Sequence, residues 1–445
     1  MPAANAQAAA SPIATADERH APANRGSGVR VGLFGLFGAG NFGNDGSLEA
    51  MLQLLRRDTP GAELVAICAE PELVAATHRV STLPLRVVMS GARWQRTLDR
   101  VLAGFVTKLV GWQQALAVTR QLDVLLIPGT GILDDFGTGP SGMPYGLFRW
   151  CLAARFNGVR IAFVSIGAGP IHNRISRWLM SSAAAMADYR SYREIPSRDF
   201  MQSLGFDVAR DPLRPDLAFA LAPAAPSTPA GERPPKIGLG IMTYRGWSGD
   251  SVAGQGQFDR YLDRMADLLV AIVEKGMHAR LLIGETTDDL AVRAVLDRIE
   301  PRLTSARRQM IDWQAPRTLE DVISAASSTD VVVASRFHNI VAALIAGKSA
   351  ISLGYASKNV ALLEQFGLGA FCHEIEHFET QAVLEQIVRL VDERQVQGPR
   401  IAAAVASLRG QIDVQQAWLT EHVIQPRRDR QAGHARTIRP AVPSA

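Results

Sequence analysis

The sequence predicts an α/β protein built on parallel sheets in two successive domains. Short apolar, β-branched runs end repeatedly in glycine-rich turns, and most are followed by residues of helical periodicity. One proline- and alanine-rich segment, 222–235, divides this pattern into two series and reads as a linker. With 445 residues, 47% hydrophobic and 20% charged, the chain is long enough for two α/β cores plus tails.

The first series occupies residues 29–221. Residues 1–28 are rich in Ala, Pro, Asn and Ser, lack the basic start and continuous apolar core of a signal peptide, and read as a disordered tail. Val29 to Phe34 is a strand that runs into Gly35, Gly38, Gly40, Gly43 and Gly46 before a helix from Leu48 to Leu55. Glycines permit close approach of a ligand, a helix N-terminus favours an anion, and Asn41 and Asn44 offer side-chain amides. Gly38-x-Gly40-x-x-Gly43 matches a nucleotide fingerprint, but only Glu70 follows the next strand, so a binding loop and a ligand-free tight turn fit equally.

Leu64 to Cys68, Leu122 to Ile127 and Ile161 to Ile166 are further strands, the last two ending in Gly129-Thr130-Gly131 and Gly167-Ala168-Gly169. Such transitions line the carboxyl edge of a parallel sheet with close-approach backbone. The adjacent Asp134 and Asp135 read as solvated or capping groups ahead of a metal or acid/base pair. Ser191 to Gly205 is a strand end carrying Arg193 and Glu194, then a helix starting near Pro196 and Ser197.

The second series occupies 236–395. Lys236 to Met242 is a strand, followed by a polar loop with Arg245 and Trp247 and a helix from Phe258 to Lys275. Leu281 to Ile283 leads to Gly284, Glu285, Thr286 and Thr287, then to a helix whose first turn holds Asp288 and Asp289. Asp312 to Ala315 leads into another short helix. Val331 to Val333 then breaks into Ser335, Arg336, Phe337 and His338, and a helix with Ile340, Val341, Leu344 and Ile345 stops at Gly347. Strand Ala350 to Leu353 leads to Tyr355 and Lys358, so two cations and an imidazole sit at one sheet edge, where open α/β sheets bind anions. A helix within 396–425 and a disordered basic tail, 426–445, close the chain.

The net charge of +4 and the pI near 9.1 fit an anionic ligand, while no long basic run outside the C-terminal end points to nucleic acid. Cys68, Cys151 and Cys372 lie far apart, which suits a reducing compartment and gives no reason to expect a structural metal or a cofactor. Leu98 to Val118 is interrupted by Arg100, Lys108, Gln113 and Gln114 and cannot span a bilayer. It reads first as an amphipathic helix on its own domain and second, with Trp94, Arg96 and Trp112, as a peripheral membrane contact.

In order along the chain, Gly40-Asn41-Phe42-Gly43-Asn44 with Glu49, Pro128-Gly129-Thr130-Gly131, Ile166-Gly167-Ala168-Gly169-Pro170, Tyr192-Arg193-Glu194 with Ser197 and Leu204-Gly205, and Asp216-Leu217-Ala218-Phe219 form five landmarks. The sixth is Arg336-Phe337-His338, then Ala342, Gly347, Tyr355, Lys358 and Phe366-Gly367-Leu368. Together they resemble the polysaccharide pyruvyl transferases over roughly residues 30 to 370. Thr130 and Ser165 stand where that family usually has glycine.

The resemblance implies two Rossmann-like domains facing across a cleft, as in B-type glycosyltransferases, with phosphoenolpyruvate as donor and a glycan or lipid-linked oligosaccharide of exopolysaccharide synthesis as acceptor. It implies a cytoplasmic enzyme, at the inner membrane face where the acceptor is lipid-linked, and leaves homo-oligomerisation open. Arg336 is expected to give a carboxylate or phosphate a bidentate contact, Lys358 a point charge, and His338 general acid/base catalysis. Arg193 and Arg245 are further anion-contact candidates, and Glu285 a group to orient acceptor hydroxyls or act as base. The plainer readings are a helix cap for His338, a structural pair of Arg336 with Asp330 or Glu364, and ordinary surface or interdomain charges for Lys358, Arg193 and Arg245. A nucleotide-sugar glycosyltransferase on the same frame and a non-catalytic glycan-binding relative are the competing functions.

Overall fold

A computed structural model describes residues 28–86, 105–135, 138–223, 233–246, 251–354 and 357–425. Most of the predicted linker, both tails, Trp94, Arg96, Trp247 and Tyr355 lie outside the described residues.

The first half carries β1 (Arg30–Phe34), β2 (Glu63–Cys68), β3 (Ser81–Pro84), β4 (Val124–Pro128), β5 (Arg160–Ile166) and β6 (Tyr189–Tyr192). They form one parallel sheet in the order β3-β2-β1-β4-β5-β6. The second half carries β7 (Lys236–Gly240), β8 (His278–Leu282), β9 (Ile311–Asp312), β10 (Val331–Ala334), β11 (Ser349–Gly354) and β12 (Cys372–Glu374). Its sheet is also parallel, ordered β12-β11-β10-β7-β8-β9, which repeats the first sheet's winding. Each is a doubly wound, Rossmann-like sheet with a switch point beside its first strand, the place where such folds leave a crevice. Central strands such as β4 and β10 are buried throughout, which explains their unbroken apolar sequences.

The two halves meet at those edges. The glycine-rich loop after β1 runs beside the segment after β8: Phe42 N donates to Gly284 O at 3.1 Å and Thr286 N to Gly40 O at 2.9 Å. Gly40 has φ of 90°, and a Cβ there would lie 2.4 Å from Thr286 Oγ1, so a side chain would part this clip. Helix Phe42–Asp58 continues across to helix Leu319–Ser327, where a Cβ on Gly46 would fall 2.3 Å from Leu319 Cδ2.

The long helix Arg394–Leu419 returns from the second half to the first. Arg409 donates to Phe219 O at 2.9 Å and Leu221 O at 2.6 Å, and Gln415 to Ser165 Oγ at 3.0 Å. Ser165 has φ of 52°, the left-handed region that favours glycine, and its backbone N–H is held by Ser191 Oγ. A glycine would adopt that conformation without the penalty that a Cβ carries. Among the described residues no helix is long and apolar enough to cross a membrane.

Candidate active site

A groove of about 960 Å³ lies between the halves. Asn41, Asn44, Thr130, Gly131, Asp134 and Arg193 line one side, and Gly284, Glu285, Arg336, Phe337, His338 and Lys358 the other. Of the residues predicted from sequence, the groove thus gathers eight, while Gly129, Gly167, Gly169 and Arg245 stand outside its lining.

His338 sits in the first turn of helix Phe337–Ile345, after β10. Its ring rests on the first turn of helix Phe42–Asp58: a Cβ on Gly43 would come within 1.9 Å of Nδ1, so Gly43 makes the room the imidazole occupies. Asn41 caps the same turn, accepting from Gly43 N at 3.0 Å and Asn44 N at 3.2 Å. His338 Nε2 lies 3.7 Å from Asp216 Oδ2, beyond hydrogen-bond length, and finds no hydrogen-bond partner among the described residues. Burial pushes the histidine below its ordinary value; Asp216 opposes this, and the cations of Arg193 and Lys358 reinforce it. The imidazole is therefore neutral near pH 7 and faces a carboxylate that would stabilise its protonated form.

That carboxylate is itself locked. Asp216 Oδ2 accepts from Arg193 Nη1 at 2.9 Å and Oδ1 from Ala218 N at 2.9 Å. Burial works to raise its pKa, but His338, Arg193 and the Ala218 N–H outweigh it and hold Asp216 at about 2. Arg193 also donates to Glu194 at 2.9 Å, and Glu194 accepts a very short hydrogen bond from Ser197 Oγ. Arg193 is thus a buried, doubly paired cation, which corrects its reading as a surface or ordinary interdomain charge. Its guanidinium stacks on Phe337 with its centre 4.8 Å from the ring centroid.

The glycines are spacers for this network. A Cβ on Gly167 would lie 2.8 Å from Arg193 Nη2, and one on Gly169 would lie 3.3 Å from Asp134 Cβ. Gly129, at φ 49°, presents its carbonyl to Ser47 Oγ at 2.7 Å. Gly131 borders the groove beside Asp134.

Arg336 differs from expectation in its partners. Its Nε and Nη2 fork grips Asp288 at 2.9 and 2.7 Å, and Nη1 lies 2.9 Å from Glu285. Asp330, offered above as a structural partner in the plainer reading of Arg336, instead holds Arg233 and Lys236 N. Asp288 is fully buried and also accepts from Thr243 N at 2.8 Å, so it anchors the arginine where the sequence suggested a helix-starting acid. Lys358 Nζ stands 5.7 Å from the Phe337 centroid, and its pKa is lowered by burial and by Arg193, with Asp134 and Glu194 opposing. Arg245 lies over the Phe258 ring, 5.4 Å from its centroid, away from the groove.

Family evidence bears on this arrangement. The family described as polysaccharide pyruvyl transferase matches residues 41–357. The chain belongs to that family. No curated relative matches the sequence. Among solved structures, the family member resembles the UDP-GlcNAc 2-epimerase from Neisseria meningitidis bound to UDP-GlcNAc (12% identity, TM-score 0.54, 88% of this chain and 100% of that one). It also resembles a lipopolysaccharide outer core galactosyltransferase in its apo form (9%, 0.51, 88% and 100%) and a glycosyltransferase from Rickettsia africae (10%, 0.50, 89% and 97%). At such identities the likeness is one of fold, and it places this pyruvyl transferase relative on the two-lobed frame of B-type glycosyltransferases.

The packing of His338 on Gly43 has a testable consequence. Gly43→Ala is expected to push the imidazole out of its seat, raising its pKa toward the ordinary 6.5 as burial is relieved. Ala gains roughly 1 kcal/mol over Gly in helix propensity, which offsets part of the strain. Histidine titration by NMR reads the shift; an unmoved His338 resonance contradicts the packing.

Proposed function

We propose that the protein transfers the pyruvyl group of phosphoenolpyruvate to two hydroxyls of a glycan or lipid-linked oligosaccharide, forming a ketal and releasing phosphate. The observation that carries this reading is a neutral imidazole, His338, at an interdomain groove, flanked by Lys358, Arg193 and Arg336 and backed by ionised Asp216. A three-carbon donor bearing a carboxylate and a phosphate suits Lys358, and suits Arg336 where it displaces the partly exposed Glu285.

The chemistry balances without a redox partner. One sugar oxygen bonds to the central carbon of the enol as its hydroxyl proton passes by way of His338 to the methylene carbon, which becomes methyl. A second hydroxyl oxygen then bonds to the same carbon, the C–O bond to phosphate breaks, and phosphate leaves with that hydroxyl's proton. His338 takes a proton from an attacking hydroxyl, and Asp216 stabilises the imidazolium formed. Lys358 offsets the charge of the donor and departing phosphate, and Arg336 joins it where the donor displaces Glu285. Asn41, Asn44 and Gly131 line the groove from the first half, the side to which we assign the acceptor. Arg245 drops out of the donor set, because it lies on Phe258.

The decisive experiment mixes purified protein with phosphoenolpyruvate and candidate oligosaccharides and follows phosphate. Release that requires both substrates supports the reading; consumption of a sugar nucleotide in place of phosphoenolpyruvate overturns it. Glu285 competes with the donor for Arg336, and removing a partly exposed carboxylate partner is worth about 1 kcal/mol, or about fivefold. Glu285→Gln is therefore expected to lower the KM for phosphoenolpyruvate about fivefold. A raised KM would show that Glu285 positions the arginine instead.

A further inference from the structure

The groove extends past the His338 centre along the first half, where Arg149 projects from helix Met143–Phe156. Arg149 is 6% exposed, yet no carboxylate pairs with it among the described residues. Its Nη2 donates to Leu85 O at 3.0 Å, its guanidinium lies 5.7 Å from the Tyr145 ring centroid, and its Nε is buried without a hydrogen-bond partner. Every other buried arginine on the groove is paired: Arg193 holds Glu194 and Asp216. A cation taken out of water with an unused donor is costly unless a ligand supplies the missing charge.

Lys108 and Arg86 line the groove too: Arg86 follows Leu85, whose carbonyl Arg149 holds, and Lys108 lies on helix Phe105–Thr119, which packs against helix Met143–Phe156. The acids on the groove lie elsewhere: Glu285 is held by Arg336, and Asp134 sits between Gly131 and Gly169 with its field on Lys358. This stretch of wall is thus cationic, and the fork of Arg149 suits a planar or tetrahedral oxyanion.

We infer that Arg149, with Lys108 and Arg86, forms a second oxyanion subsite that binds an acidic group carried by the acceptor glycan. The inference deepens the proposed pyruvyl transfer and rests on it for assigning the ligand to the acceptor. The oxyanion has two chemical sources, a glycosyl phosphate or a uronic-acid carboxylate, and the test separates them.

Calorimetric titration of the full chain, without phosphoenolpyruvate, compares N-acetylglucosamine 1-phosphate, a glucuronic-acid-terminated disaccharide and a neutral disaccharide. One charged probe is expected to bind at least tenfold tighter than the neutral one, and which probe does so identifies the oxyanion. Arg149→Met should bring the three within about twofold while leaving the Kd for phosphoenolpyruvate within about twofold and the Tm unchanged or raised. Equal binding of charged and neutral probes, or an undiminished preference in Arg149→Met, overturns the subsite. Should Arg149→Met fail to fold, exposed Lys108→Gln serves: a preference reduced about threefold supports the subsite and an unchanged one overturns it. Failed phosphate release leaves this binding result intact, so the subsite and the transfer reaction fail separately.

Discussion

Replacing His338 with alanine is expected to lower turnover about 10²- to 10⁴-fold, the usual contribution of a positioned general acid or base. The fold should survive the change. The imidazole makes no hydrogen bond through Nε2 and is neutral near pH 7, so its loss breaks no ion pair. The wild-type pH profile carries the same signature. Because burial and those cations hold His338 below 6.5, it remains a base down to that value, and activity should decline only as pH falls beneath it. Initial rates of phosphate release across pH 5 to 8 would locate that limb; a limb above 6.5 would mean that another group supplies the base. For stability the sign follows from the same depression. The unfolded chain takes up a proton that the folded one refuses, so this residue's effect penalises the native state as pH drops through 6.5.

How much of this was legible in the sequence depends on what each feature uses as its signal. Central strands such as β4 and β10 are buried on both faces and announce themselves as apolar runs. β3 and β12 were not anticipated because they are edge strands: Ser81–Pro84 and Cys372–Glu374 are short, partly exposed and pair on one side only, so nothing demands an apolar pattern. At the site, spacing found His338 and Arg336, since both follow a strand into a helix. Spacing could not find their partners. Asp216 reaches His338 from another domain half across 122 positions of sequence, and Asp288 reaches Arg336 across 48. A carboxylate that begins a helical stretch looks like a helix-starting acid from sequence, and only the fold turns Asp288 inward. Glycines carry a different ambiguity. From sequence they fit close approach of a ligand or a tight turn equally, and in the fold Gly43 and Gly167 leave space for His338 and Arg193, two side chains of the site itself.

Those long-range partners make Asp216 the residue on which the site's electrostatics turn. Asp216→Asn is expected to cost about 3 kcal/mol, the lower end for breaking a buried ion pair, because Arg193 loses one carboxylate and keeps Glu194. Denaturant unfolding of the two proteins measures the difference. The substitution also removes the charge that lifts His338, leaving burial, Arg193 and Lys358 unopposed, so the imidazole pKa and the acid limb of activity should both move further down. Acid stability supplies an independent check. In the wild type, a carboxyl depressed from 3.8 to about 2 contributes stability that is present above 3.8 and lost as pH falls through about 2. An amide does not titrate, so this loss should be absent from Asp216→Asn below pH 4. A variant that is as stable as wild type and shows an unchanged acid limb would mean that Asp216 neither balances Arg193 nor acts on His338, and the imidazolium would then need another source of support.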